Sequence, residues 1–201
     1  MITVTGFASV NSGEAVRVSG KTGDGEKFGF LVPSEIFHES GISAGVLPDE
    51  TLDLLSDSDK KYRAFCAGRR LLEYGSNSAG QLEFKLIKKG HEKSAASYAA
   101  AKLCSLGLIN EKSDVIFECD SLIRRGYGRM RIMSRLRAES YSEEALKEAS
   151  SYLRNTDFSE EVSKVVKKKW GTIPSDPAAR KKAVAALYRL GFTSDDIRSV
   201  L

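Results

Sequence analysis

Six arginines stand between Ser121 and Ala138 with no acidic residue among them: Arg124, Arg125, Arg129, Arg131, Arg135 and Arg137. A guanidinium fork matches a phosphate or carboxylate with two parallel hydrogen bonds, so a run of Arg rather than Lys suits an anionic ligand. Arg131 and Arg135 are four residues apart, on one face of a helix whose other side carries Ile132 and Leu136. Tyr127 lies within the cluster, where its ring can stack on a base or pack against a guanidinium. Lys164, Lys167, Lys168 and Lys169 form a second basic group, and Arg180, Lys181 and Lys182 a third. The plain alternative is a set of solvated helix faces, since three consecutive lysines point in three directions. The expected contact set is Arg124, Arg125, Tyr127, Arg129, Arg131 and Arg135, with Lys167, Lys168, Lys169, Lys181 and Lys182 secondary.

Catalytic chemistry finds little to use. His38 and His91 have no second histidine or cysteine pair within helical reach, so no metal site is expected. Gly126-Tyr127-Gly128 lacks the third glycine and the preceding strand of a dinucleotide loop, and no Gly-Lys-Ser/Thr phosphate loop occurs. It reads instead as a flexible joint between helices. No nucleophile elbow is marked. Cys66, Cys104 and Cys119 have no CxxC spacing and sit in apolar helical contexts, which suits reduced, buried thiols. Trp170 ends the Val162-Val166 stripe and reads as a core anchor. The expectation is a non-enzyme with no cofactor and no metal.

Charge is unevenly spread. Residues 1–56 carry 3 Lys/Arg against 8 Asp/Glu, and residues 57–201 carry 28 against 19. The basic balance of the longer part again suggests an anionic partner. Met1 to Val10 has no basic segment followed by an apolar run, and no stretch approaches the roughly 18 apolar residues of a membrane span. A soluble, cytoplasmic, monomeric protein is expected.

The elements that must position these residues follow a repeat. Leu86 is followed by Gly90-His91, Leu136 by Ser140-Tyr141, and Leu187 by Gly191-Phe192. Each leucine precedes a small residue by four positions, then a ring, then a polar run that opens another helix. Three such units in register read as tandem repeats. Ser78 with Gln81 forms a capping box, Asp176-Pro177 an N-cap with proline at the first helical position, and Thr193 and Asp157 further N-caps. Gly90 and Gly191 are left-handed C-caps. About nine helices are expected, three per repeat, over roughly 60–109, 110–155 and 156–201. The first 56 residues differ. Ile2, Val4 and Ala8-Val10, then Val16 and Val18, then Phe28, Phe30 and Val32 alternate as strands, with Thr22-Gly23-Asp24-Gly25 as a hairpin turn. Short helices open at Pro33-Ser34-Glu35 and Pro48-Asp49-Glu50, and Ser56-Asp57-Ser58-Asp59 reads as a linker. The expected fold is mainly α. A small α+β domain with a three-stranded antiparallel sheet (1–56) precedes an elongated array of three three-helix repeats (57–201).

From about Tyr62 to Leu201 the chain resembles the RecX family of bacterial recombination regulators. The matching stretches are Arg70-Leu71-Leu72, Gln81-Leu82 with Lys85-Leu86 and Lys89-Gly90, and Leu106-Gly107-Leu108-Ile109-Asn110. Then come Arg124-Arg125-Gly126-Tyr127-Gly128 with Arg131-Ile132, and Leu190-Gly191-Phe192 with Asp195-Asp196-Ile197. The family usually has two aspartates where this chain has Asn110-Glu111, and tends to Gly where Ser140 stands. A strand-rich N-terminal extension occurs in some members. The resemblance implies binding to RecA, above all to its filament on single-stranded DNA, with inhibition of strand exchange and ATP hydrolysis. It implies RecA as partner, with single-stranded and also double-stranded DNA met through the basic patches. The rival from the residues alone is a helix-turn-helix DNA-binding protein with the Arg131 helix in the major groove. The lack of a partnering Asn or Gln code points instead to backbone contact.

Overall fold

The computed structural model describes residues 1–198 and 200. It runs β1 (Ile2–Val10), β2 (Ala15–Lys21), β3 (Lys27–Pro33), α1 (Ser34–Ser40), β4 (Gly45–Leu47) and α2 (Glu50–Glu73). Then follow α3 (Ala79–Lys88), α4 (Lys93–Ser105), α5 (Glu111–Arg124), α6 (Arg129–Ala138), α7 (Glu143–Asn155), α8 (Ser159–Trp170), α9 (Pro177–Leu190) and α10 (Ser194–Arg198). Two compact units divide the chain: residues 1–77 with 82–109, and residues 78–81 with 110–201. The fold is mainly helical, as the periodicity requires.

In the first unit the sheet has four strands, not three, in the antiparallel order β3-β2-β1-β4. The added strand, Gly45 to Leu47, pairs with Ile2 to Val4. Three residues opening on glycine carry too little alternation to announce a strand. The β2–β3 hairpin turns on Gly25 at φ 90°, with Thr22 N–H donating to Glu26 O and Gly25 N–H to Thr22 O. The apolar face of the sheet, with Ile2, Val4, Val18 and Val32, closes over Leu55 of α2.

The expected linker at 56–59 is instead the middle of α2. Asp57, Ser58 and Asp59 each have a partner there. Ser58 Oγ donates to Leu54 O at 2.7 Å, Lys61 pairs with Asp57 at 2.7 Å, and buried Asp59 accepts from Leu31 N of edge strand β3 at 2.9 Å and from Arg63. Asp59 thereby satisfies an edge amide that would otherwise lie buried without a partner. The later turns of α2 approach α4 closely. A Cβ on Gly68 would lie 2.8 Å from Leu103 Cδ1, and the facing side of α4 is built from Ala95, Ala96, Ala99 and Ala100.

The three repeat leucines, Leu86, Leu136 and Leu187, are all buried. After each, the chain closes its helix in the same way. His91, Tyr141 and Phe192 N–H groups reach back to the carbonyls of Leu86, Leu136 and Leu187 at 3.1, 3.4 and 3.3 Å. The intervening residues are left-handed: Gly90 at φ 94°, Ser140 at φ 56° and Gly191 at φ 92°. Ser140 thus takes the conformation that glycine takes in the other two repeats, at the cost of its Cβ. The capping box closes reciprocally, Ser78 N–H to Gln81 Oε1 at 3.2 Å and Gln81 N–H to Ser78 Oγ at 3.1 Å. Asp176 caps Ala179 N at 2.8 Å, and Thr193 caps Asp196 N at 3.3 Å. Asp157 bonds Ser159 N at 2.9 Å, from one residue before the N-cap position.

Within the second unit, each left-handed tail seats against the first turn of an earlier helix. Ser78 Oγ donates to Glu139 O at 2.6 Å, and a Cβ on Gly80 would meet Ser140 at 2.5 Å. Gly128 N–H donates to Leu190 O at 2.8 Å and Met130 N–H to Gly191 O at 3.0 Å. The free amides at the start of α6 are therefore satisfied by the free carbonyls at the end of α9, with favourable alignment of the two helix dipoles. Glu111 bridges the other joint, accepting from Ala79 N at 2.7 Å and from Ser142 N at 2.9 Å. Asn110, Glu111 and Ser140 thus each have a place at a joint or cap.

Leu136 lies in one cluster with Leu122, Ile132, Ala149, Leu153 and Val162. Leu136→Ala is expected to cost about 2–5 kcal/mol, from lost transfer energy and the cavity left behind. An unchanged urea midpoint would exclude this packing.

Candidate functional site

Gly126 and Tyr127 end α5 as a tight closure. Gly126 is left-handed at φ 83°, and Tyr127 N–H reaches back to Leu122 O at 3.2 Å. Gly128 then starts α6 with its amide on Leu190 O. The Gly126-Tyr127-Gly128 segment, expected to be a flexible joint, is therefore hydrogen-bonded on both sides, and Gly128 is buried.

This closure sends the arginines in three directions. Arg124 and Arg125 are exposed at the C-terminal end of α5, where cations also suit the negative helix terminus. Arg129 turns inward. Its guanidinium holds Asp196 through two of its three nitrogens, Nη2 to Oδ1 at 2.5 Å and Nε to Oδ2 at 3.2 Å, and lies 4.6 Å over the Phe158 ring. Asp196 is 7% exposed and also accepts from Thr193 N and Oγ1. Arg129 is thus committed to joining α6 to α10.

Arg131 and Arg135 stay on the outer face of α6 and line a groove of about 520 Å³ with Tyr127, Met130, Tyr188 and Arg189. The Arg131 guanidinium lies 5.1 Å over the Tyr127 ring and donates from Nη1 to Arg189 O at 3.1 Å, while the residue stays exposed. Arg135 pairs with Glu139 one turn on at 2.9 Å, and that hydrogen bond pushes its pKa above the ordinary arginine value. Met130 is 65% exposed and Tyr188 49% exposed, so the groove offers apolar surface beside three guanidinium groups.

Lys167, Lys168 and Lys169 are exposed on the last turn of α8, with Lys169 5.8 Å over the half-buried Trp170. Lys181 and Lys182 are exposed near the start of α9. Neither lysine group, nor Arg124 and Arg125, lines the groove. Arg189, Tyr188 and Met130 do, and charge clustering passed over them. Arg189 stands 54 positions after Arg135, and only the seating of the α9 tail on the α6 head brings it there. Cys119 is buried in the same unit and its thiol is pushed up to about 12 by burial, which leaves it inert near neutral pH.

Among the described residues, no helix is long and apolar enough to cross a membrane. Residues 157–201 match the family model described as RecX, third three-helix domain. The regulatory protein RecX of Chlorobaculum tepidum is 29% identical over 147 residues, covering 72% of this chain and 90% of that protein. The regulatory protein RecX of Stenotrophomonas maltophilia (strain R551-3) is 33% identical over 133 residues, covering 64% of this chain and 78% of that protein. In fold, a crystal structure of regulatory protein RecX superposes with a TM-score of 0.73 at 15% identity over 100% of this chain and 98% of the other. RecX from Lactobacillus salivarius superposes with a TM-score of 0.58 at 19% identity, covering 71% and 94%. One-third identity to a protein of which more than three quarters is covered, on the same succession of helices, decides the family: this chain belongs to RecX.

Proposed function

We propose that the protein is a non-enzymatic regulator that binds RecA and its nucleoprotein filament and restrains strand exchange and ATP hydrolysis. Family membership supports the partner. The observation that carries the site is the groove in which Arg131, Arg135 and Arg189 stand beside Tyr127 and Tyr188, with Arg124 and Arg125 exposed on the preceding helix. Such a surface meets DNA phosphates or acidic protein surface with guanidinium forks and offers rings to whatever lies between them. Arg129, held by Asp196, positions this face rather than contacting the partner. The lysines at 167–169 and 181–182 add long-range attraction.

The test is ATP hydrolysis by the cognate RecA on circular single-stranded DNA during titration with this protein. Inhibition at well below one copy per RecA is expected, because a filament-directed regulator acts on assembly. Replacing Arg124, Arg125, Arg131 and Arg135 together by Ala is expected to abolish inhibition with little change in the unfolding midpoint, since surface substitutions of this kind stay within about 0.5 kcal/mol each. DNA binding through about six of the cations would give a log–log salt slope near −5. Full inhibition by the quadruple variant would overturn the site. No inhibition by the wild type, with DNA bound normally, would overturn the RecA reading and leave a DNA-binding protein.

A further inference from the structure

A cavity of about 310 Å³ opens in the first unit, where the β1–β2 tip and the β3–α1 corner meet α2 and α4. Three aromatic rings stand in its wall. The Tyr62 and Phe65 rings of α2 lie 6.5 Å apart with their planes inclined by 29°, Tyr98 enters from α4, and Leu106, 53% exposed, stands at the edge. Two carboxylates and one ammonium complete the lining: Glu14, Glu35 and Lys102. Glu14 accepts from Arg69 at 2.7 Å. Glu35 accepts from Lys102 at 2.6 Å and from the Tyr98 hydroxyl at 3.1 Å.

The chemistry favours a cation with a flat face. A carboxylate offers about four acceptor sites, so both glutamates keep capacity beyond these bonds. Both ion pairs are between 30% and 46% exposed, so they contribute little stability and yield readily to an incoming donor. The Lys102 hydrogen bond holds the Glu35 carboxyl below its ordinary pKa, so it is ionised at neutral pH. Aromatic faces attract cations, and arginine stacks on them better than lysine. The chain itself fills such places with guanidinium groups: Arg129 lies over Phe158 and bonds Asp196, and Arg69 lies 5.8 Å over Phe65 and bonds Glu14. Lys61 likewise lies 5.6 Å over the Tyr98 ring, so both the Phe65 and the Tyr98 rings already attract cations of the chain.

We propose that this cavity receives an arginine side chain presented by a partner protein, its guanidinium against the Phe65 and Tyr98 rings and donating to Glu35 and Glu14. The inference is independent of the RecA reading, because it rests on the first unit alone.

The test is a titration of the isotope-labelled full-length chain, followed by NMR, with a short glycine-flanked arginine peptide. Saturable shifts at the Leu106 methyls and the Phe65 and Tyr98 rings are expected. Glu35→Gln and Glu14→Gln should each weaken binding about tenfold without moving the thermal midpoint, as loss of a charge-assisted bond implies. A citrulline peptide, equal in shape but uncharged, should not bind. Equal binding by the citrulline peptide, no saturation at millimolar arginine peptide, or unchanged affinity in both variants would overturn the proposal. Free agmatine binding as tightly as the peptide would overturn its assignment to a protein-borne side chain.

Discussion

Gly128→Ala is expected to destabilise the second unit by about 3 kcal/mol, from overpacking plus the loss of buried backbone hydrogen bonds. A Cβ at this position would lie 2.2 Å from Phe192 N and 2.3 Å from Gly191 C. Both are backbone atoms, so no rotamer change relieves the overlap. The α9 tail must withdraw, and with it go the bonds from Gly128 N to Leu190 O and from Met130 N to Gly191 O. The sign of the effect is diagnostic. Gly128 sits at φ −84° and ψ 164°, a conformation open to any residue. Backbone entropy alone would make alanine stabilising there by about 0.4–1 kcal/mol. The urea midpoint, read from the fluorescence of the single Trp170 in the same unit, decides between them. A raised or unchanged midpoint would mean that α6 and α9 are not seated head to tail. The same substitution should widen the arginine groove, because Arg189 and Tyr188 belong to the tail that withdraws.

Asp196→Ala is expected to cost about 3–5 kcal/mol, the range for leaving one member of a buried pair without its partner. Arg129 would keep its place over Phe158 with no carboxylate to answer it, and Thr193 N would lose the bond it makes at 2.8 Å. Asp196→Asn should cost less, since an amide oxygen still accepts from Thr193 and from one guanidinium nitrogen. In the double variant Arg129→Met with Asp196→Ala, part of the loss should return, because the stranded charge is gone. Purely additive single losses in that cycle would show that the two residues do not interact.

Much of the helical part was legible because its punctuation is chemical. Leu86, Leu136 and Leu187 mark the buried stripe, and Gly90, Gly191, Asp176-Pro177 and Ser78 with Gln81 mark ends that close as their residue types require. Ser-Asp-Ser-Asp at 56–59 misled because its composition is that of a linker. Its helical state depends on Lys61, Leu54 and an edge amide of β3, none of which a local window weighs together. The site divides in the same way. Charge density singles out Arg131 and Arg135, which line the candidate groove, but nothing in the spacing separates Arg129 from its neighbours. Its partner Asp196 lies 67 positions away, and only the fold turns one arginine inward and the next outward. Tyr188 and Arg189 stayed hidden for a related reason. They reach the groove through a contact between repeats, whereas the pattern that revealed the repeats describes each one singly.

The unbroken helix from Glu50 to Glu73 has a consequence for how the N-terminal extension is inherited. A flexible tether absorbs gained or lost residues, and the modules on either side drift independently. A helix is a phase-locked shaft: one inserted residue turns everything beyond it by about 100° and advances it by about 1.5 Å. Here Leu55 and Asp59 address the sheet, while Gly68 addresses α4, so a single-codon insertion between them would put one set of contacts out of phase with the other. The extension is therefore geared to the first repeat, and length variation in related genes should fall outside this stretch.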